Sequence, residues 1–250
     1  MSDKDRRTYP VLLNLYMIYK WSVYYPVLVL STLLFGMLAT LLAFTVSVRL
    51  GSFLGGVVWA RLLGYVTPII VTVRGKENID KKQSYVIVSN HLSHYDILVL
   101  YGWLGIDFKW VMKKELRKIP GLGIGCETIG HIFIDRSDHQ AALASLEAAK
   151  ATIVNGTSII FFPEGTRQTG PQLGSFKKGA FRMAIDMKLP ILPVTLIGTN
   201  KVLPAHSQDL FPGKITMIVH KPIETSQYSE ETLPELIEQT RSTIASVIPA

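Results

Sequence analysis

His91 and Asp96 are the residues whose types and spacing most directly suggest chemistry. They stand in Ser89-Asn90-His91-Leu92-Ser93-His94-Tyr95-Asp96, with four residues between them. A neutral imidazole takes a proton from a hydroxyl near neutral pH. A carboxylate on its other nitrogen fixes the tautomer and stabilises the imidazolium that forms. The same spacing also fits a histidine at a helix start with an aspartate in the first turn, so both readings stand on this stretch alone.

Four further clusters follow. Gly130-His131-Ile132-Phe133-Ile134-Asp135-Arg136 sets an arginine just after an apolar run, where its guanidinium could fork onto a phosphate or pair with Asp135. Phe162-Pro163-Glu164-Gly165-Thr166-Arg167 reads as a tight turn after a strand, where α/β sheets place ligands. Glycine at 165 lets the backbone come close to an oxyanion. Phe176-Lys177-Lys178-Gly179 adds cations at a helix start. Pro190-Ile191-Leu192-Pro193-Val194 reads as a strand whose prolines point to a sheet edge or bulge, shaping a site wall. A metal reading competes: His91, His94 and Asp96 have ligand-like spacing and His131 could join, although no His-Glu-x-x-His occurs.

The elements that must position these residues read as short strands alternating with helices. Tyr85–Val88 is apolar and β-branched, and a helix follows from Tyr95 to Trp103, so His91 falls at a strand-to-helix junction. Further strands are expected at 70–73, 108–111, 132–134, 158–162, 191–197 and 215–219. Helices are expected at 140–154, capped by Asp138 and stopped by Gly156, at 177–187 and at 231–248. The pattern implies an α/β fold with a mixed, largely parallel sheet covered by helices, preceded by an N-terminal membrane-embedded helical segment.

That segment accounts for the bulk composition. The chain is 48% hydrophobic, only 18% charged and carries a formal charge of +7; its mean hydropathy is +0.27 and its pI about 9.4. The apolar excess lies before residue 74. Trp21–Val48 holds no charged residue, and Val27–Val48 would span roughly 33 Å as a helix. Tyr16, Tyr19, Trp21, Tyr24 and Tyr25 crowd its front edge, as aromatic residues do at a lipid–water boundary. A weaker apolar stretch, 50–73, is interrupted by Gly51, Gly55, Gly56, Arg61 and Pro68. Basic residues on both flanks of the first stretch leave a single span and a helical hairpin open, with a lean to the hairpin and to Met1–Tyr9 facing the same side as the rest. The expected division is a membrane anchor over 1–68, removable without unfolding the remainder, and a catalytic domain over 69–250. Lys109, Lys113, Lys114, Arg117 and Lys118 form a basic stretch that could rest on anionic lipid. The single cysteine excludes an internal disulfide and a cysteine-cluster zinc site. No nucleic-acid-binding motif appears.

Asn90-His91-x4-Asp96, Gly130-x-x-Phe133-Ile134-x-Arg136, Phe162-Pro163-Glu164-Gly165-Thr166-Arg167 and Leu192-Pro193-Val194, in that order, resemble the four sequence blocks of the glycerolipid acyltransferases, specifically the 1-acylglycerol-3-phosphate acyltransferases. The likeness covers about 73–198 and includes Lys113-Lys114-Glu115-Leu116; Gln168 departs from it where the family often has serine. The resemblance implies that His91 is the general base and Asp96 orients it. It implies that Arg136, Glu164, Gly165 and Arg167 bind the glycerol phosphate, with Lys177, Asn90, Thr166 and Pro193 as further substrate-binding candidates. It implies acyl transfer from acyl-ACP or acyl-CoA as co-substrate to the sn-2 hydroxyl of 1-acylglycerol 3-phosphate, with no metal, no other cofactor and no nucleic-acid partner, at a bacterial inner membrane with the catalytic domain on the cytoplasmic side. Another lysolipid or glycerol 3-phosphate as acceptor, a metal-dependent lipid hydrolase and a non-catalytic lipid-binding protein are the alternatives to be separated.

Overall fold

The structure is a computed structural model, and it describes residues 10–135, 137–170 and 172–249. Met1–Tyr9 and Arg136 therefore lie outside the described residues. Helices α1 (Pro10–Tyr19) and α2 (Tyr25–Thr45) are joined through a widened turn, Lys20–Tyr24. Pro26 has no amide to return to Ser22, and a wide turn tolerates that gap. The stretch Asn14–Thr45 is long and apolar enough to cross a membrane. The chain then reverses. Ser47 accepts from the Leu50 amide at 3.2 Å and starts α3 (Val48–Ser52), which runs through a second wide stretch, Phe53–Val58, into α4 (Trp59–Val66).

The return leg packs antiparallel on the first. A side chain at Gly51 would meet the Ala39 carbonyl and one at Gly55 the Ala39 methyl, at 2.6 and 2.7 Å. The glycines thus make close helix contact instead of breaking the helix. At the open end the Tyr19 hydroxyl donates to the Val66 carbonyl at 2.6 Å. Arg61, awkward in a bilayer, donates from Nε to the Gly102 carbonyl at 2.7 Å. At the closed end Phe44 (79% exposed) and Val46 (66%) face outward.

The remainder forms one seven-stranded sheet. Its strands are β1 (Ile69–Arg74), β2 (Val86–Ser89), β3 (Phe108–Lys113), β4 (Ile132–Ile134), β5 (Ser158–Phe161), β6 (Ile191–Ile197) and β7 (Gly213–Val219). Their order is β1-β7-β6-β2-β5-β3-β4, and only the β6–β7 pair is antiparallel. The fold is the mixed, largely parallel α/β arrangement expected from the alternation of elements. Between the strands lie α5 (Tyr95–Trp103), α6 (Leu122–Thr128), α7 (His139–Ala149), α8 (Gly179–Met187), α9 (Thr199–Val202) and, near the end, α10 (Leu233–Ala245). Period-two alternation splits β2 between two cores. Ile87 packs with Tyr95, Leu100 and Leu192 on one face; Val86 and Val88 pack with Phe181, Leu236 and Ile244 on the other.

Three expectations are corrected. Tyr24, Ala60 and Leu63 are buried in the same core as Tyr95 and Leu100, and buried hydroxyls link Thr67 to Tyr95 and Tyr95 to Tyr24. The core continues across residue 68, so cutting there opens it to water. Second, β6 is an interior strand. Pro193 is tolerated because its missing amide faces the gap between the Val194–Val219 ladder and the isolated Ile191–Ile223 bridge, while its carbonyl accepts from the His220 amide. Third, Lys109 is buried against Asp107 at 3.3 Å and cannot rest on a lipid surface; Lys113 and Lys118 are exposed.

Candidate active site

β2 and β5 are neighbours and parallel, so the loops leaving their C-terminal ends emerge side by side. The register that pairs Val86 with Ile159 and Val88 with Phe161 carries past the strand ends and sets Glu164 opposite His91. The His91 amide donates to Glu164 Oε1 at 2.8 Å, and the Gly174 amide donates to Oε2 at 2.8 Å. Glu164 is buried, and burial raises its pKa; the bonds from the Gly174 and His91 amides pull it back.

The other loop folds around Asp96. This side chain is fully buried in the first turn of α5 and reaches backward. Its Oδ2 accepts from His91 Nδ1 at 2.8 Å and from the amides of Leu92 and Ser93 at 2.7 and 2.8 Å. Oδ1 has no partner among the described residues. The imidazole is therefore held as the Nδ1–H tautomer, with Nε2 available to an acceptor hydroxyl. Its ring lies flat on Phe162, centroids 3.9 Å apart and planes 9° apart. Ser93 Oγ donates to the Leu203 carbonyl at 2.6 Å and anchors the turn to the loop after α9.

Cations lie near this imidazole. Gly165 has φ +75°, a region that glycine enters without strain, and a side chain there would strike Lys177 Nζ at 2.7 Å. Lys177 is held in place by its amide, which donates to the Pro163 carbonyl at 2.9 Å. The Gln168 amide donates to the His91 carbonyl at 2.8 Å and ties the segment carrying Arg167 to the His91 loop. The pKa of His94 is lowered, first by partial withdrawal from water and then by the positive charge of Arg167. Thr166 is exposed on the same turn.

Not every residue picked from the sequence faces this cleft. Asn90 is buried, and its amide meets the backbone of β6, donating to the Leu196 carbonyl at 2.9 Å and accepting from the Leu196 amide at 2.8 Å. It clamps β2 to β6. Glu164 accepts a backbone amide on each oxygen and so braces the two loops. Pro193 pairs with Val88 inside the sheet, short of the site. His131 lies elsewhere, buried between the Tyr101 hydroxyl and the Trp110 amide. Burial, then the charge of Lys109, lowers its pKa to about 3. Among the described residues no three histidine, cysteine, aspartate or glutamate side chains converge as a metal site would need. What sequence reading missed was the bracing: the amides of Leu92, Ser93 and Gly174 leave no mark in residue type.

A strand-end dyad of histidine and aspartate beside a Glu-Gly-Thr-Arg turn on a mostly parallel sheet defines an acyltransferase domain, and the sequence profile of the Acyltransferase family matches residues 70–197. The chain belongs to that family. It is 32% identical to the 1-acyl-sn-glycerol-3-phosphate acyltransferase of Borreliella burgdorferi, covering 69% of this chain and 70% of that one. It is 33% identical to an enzyme of the same name from Chlamydomonas reinhardtii, covering 72% of this chain and 53% of that one. It spans about half the length of that algal relative and of a chloroplastic one from Arabidopsis thaliana, of which it covers 44%. The crystal structure of the 1-acyl-sn-glycerophosphate acyltransferase PlsC from Thermotoga maritima superposes with a TM-score of 0.74 at 27% identity, covering 96% of both chains.

Proposed function

We propose that this chain transfers a fatty acyl group from acyl-ACP or acyl-CoA to the sn-2 hydroxyl of 1-acylglycerol 3-phosphate, giving phosphatidic acid. The observation that carries the reading is the His91 Nδ1–Asp96 Oδ2 bond, which leaves Nε2 as the ring nitrogen that can accept a proton. Nε2 takes the hydroxyl proton, the oxygen attacks the thioester carbonyl, the carbon–sulfur bond breaks, and the leaving thiolate takes the proton from His91. The base needs no help from a resident cofactor in this scheme; the thioester is a co-substrate. Arg167 and Lys177 hold the acceptor phosphate, with Thr166 and the Gly165 backbone beside them, and Arg136 joins them in the role the family resemblance assigns. Guanidinium forks suit a phosphate better than ammonium groups do.

The helical hairpin enters one leaflet and returns, with Phe44 and Val46 at its deep end, so that the acceptor keeps its acyl chain in lipid. Lifting that chain into water would cost about 0.8 kcal/mol per methylene. In this reading residues 1–68 hold the membrane-embedded part and also close the core through Tyr24, Ala60 and Leu63, 69–250 carry catalysis, and both Met1–Tyr9 and the catalytic part lie on the cytoplasmic side of a bacterial inner membrane. The test is purified full-length protein in detergent, given lysophosphatidic acid, lysophosphatidylcholine or glycerol 3-phosphate with either donor, and products identified by mass. Phosphatidic acid formed in preference to the other products is expected. Preferential acylation of another acceptor would replace the substrate assignment, and lipid hydrolysis lost to a chelator would replace the reaction.

A further inference from the structure

We infer that Phe162 is a positioning residue for the reaction, whose aromatic face steadies the charge that His91 carries while it holds the proton. The inference rests on the reading of His91 as the general base. Phe162 is the first residue after β5, and its ring is only partly buried, so it is not simply core filling. It lies face to face with the imidazole at 3.9 Å and 9°. Trp110 stacks on Phe162 at 5.7 Å and 29°, and Phe108 meets Trp110 edge-on at 5.2 Å and 80°. The aromatic wall behind the base therefore starts from β3 and has little freedom to move.

Two consequences follow from ordinary chemistry. The ring fixes the plane of the imidazole, while Asp96 fixes only its Nδ1 edge. The face of a phenyl ring is also electron-rich, and it attracts a cation more strongly than a neutral group. A neutral imidazole gains mainly dispersion from the contact; the imidazolium formed during proton transfer gains charge attraction as well. An interaction that strengthens toward the transition state raises kcat without tightening substrate.

The experiment measures single-turnover rate and both KM values for Phe162→Leu, Phe162→Trp and protein with pentafluorophenylalanine in place of Phe162, with His91→Ala in parallel. Pentafluorophenylalanine nearly keeps the shape but reverses the charge of the ring face. The expected loss is about 2- to 30-fold in turnover for Phe162→Leu and the fluorinated ring. KM for both substrates should be unchanged, and Phe162→Trp should stay within about threefold of wild type. The fluorinated protein decides the matter if Phe162→Leu fails to fold. Full turnover with the fluorinated ring would overturn the role of the ring while leaving His91 as base. Full turnover in His91→Ala would remove the base, and this inference with it.

Discussion

His91 and Arg167 leave adjoining strand ends, yet they are held in opposite ways. His91 is fixed at three points: Asp96 on ring Nδ1, the Phe162 face beneath the ring, and Glu164 on the backbone amide. The side chains of Arg167 and Lys177 reach from a loop and a helix start with no hydrogen-bond partner among the described residues. The difference matches the proposed tasks. Proton transfer fails when the base drifts beyond hydrogen-bond reach of the hydroxyl. A phosphate is gathered by charge, which falls off slowly with distance and tolerates a mobile donor. The two buried carboxylates repeat the lesson. Asp96 shares one oxygen with the base, whereas Glu164 gives both to backbone amides and acts only through the loops it joins.

This contrast predicts a graded set of losses. The largest belongs to the base: His91→Ala should lower kcat by about 10²–10⁴-fold, with circular dichroism unchanged. Next comes Glu164→Gln. Its amide nitrogen would confront one of two donor amides, leaving that donor unsatisfied at a cost of about 1–3 kcal/mol. The loss should appear as a kcat lower by roughly 10-fold or more and a lower melting temperature, with acceptor KM little changed. If acceptor KM rose instead, Glu164 would be a ligand and not a brace. Arg167→Ala should act the other way, raising KM for the phosphorylated acceptor about 10-fold or more and leaving the donor KM alone. Equal effects on both substrates would end the distinction between the two ends.

The smallest effect is on stability. The pKa of His131 falls from 6.5 to about 3 on folding. Between those values the unfolded chain binds a proton that the folded chain refuses, so stability drops as pH falls from about 6.5 toward 3. His131→Asn should flatten this part of a melting-temperature profile while leaving the pH dependence of turnover unchanged. A shift in the turnover profile would place His131 in the chemistry.

Much of this was legible from residue order. The β-branched run before Asn90 and the apolar helix after Asp96 located the dyad, because strand and helix periods differ. The Pro163–Gly165 turn was legible for the same reason, as punctuation after a strand. Helix α6 was missed: its sequence, Leu122-Gly123-Ile124-Gly125-Cys126, looks like loop. Gly125 is spent on contact with the hairpin, where the Gly36 α-carbon comes within 3.0 Å of where a side chain would begin, and Gly123 packs on the backbone of Arg117. The family resemblance puts Asn90, Glu164 and Pro193 among the substrate-binding candidates, but residue type does not record that Asn90 and Glu164 already meet backbone partners or that Pro193 sits inside the sheet.

The central claim is direct transfer from thioester to acceptor hydroxyl, driven by the His91–Asp96 pair. It is tested most directly by counting, in one reaction, the thiol released, the phosphatidic acid formed and the free fatty acid produced from a labelled acyl thioester. The account predicts thiol and phosphatidic acid in equal amounts, no thiol without acceptor, and no labelled protein. Thiol released before acceptor is added, or fatty acid accumulating in place of phosphatidic acid, would contradict it.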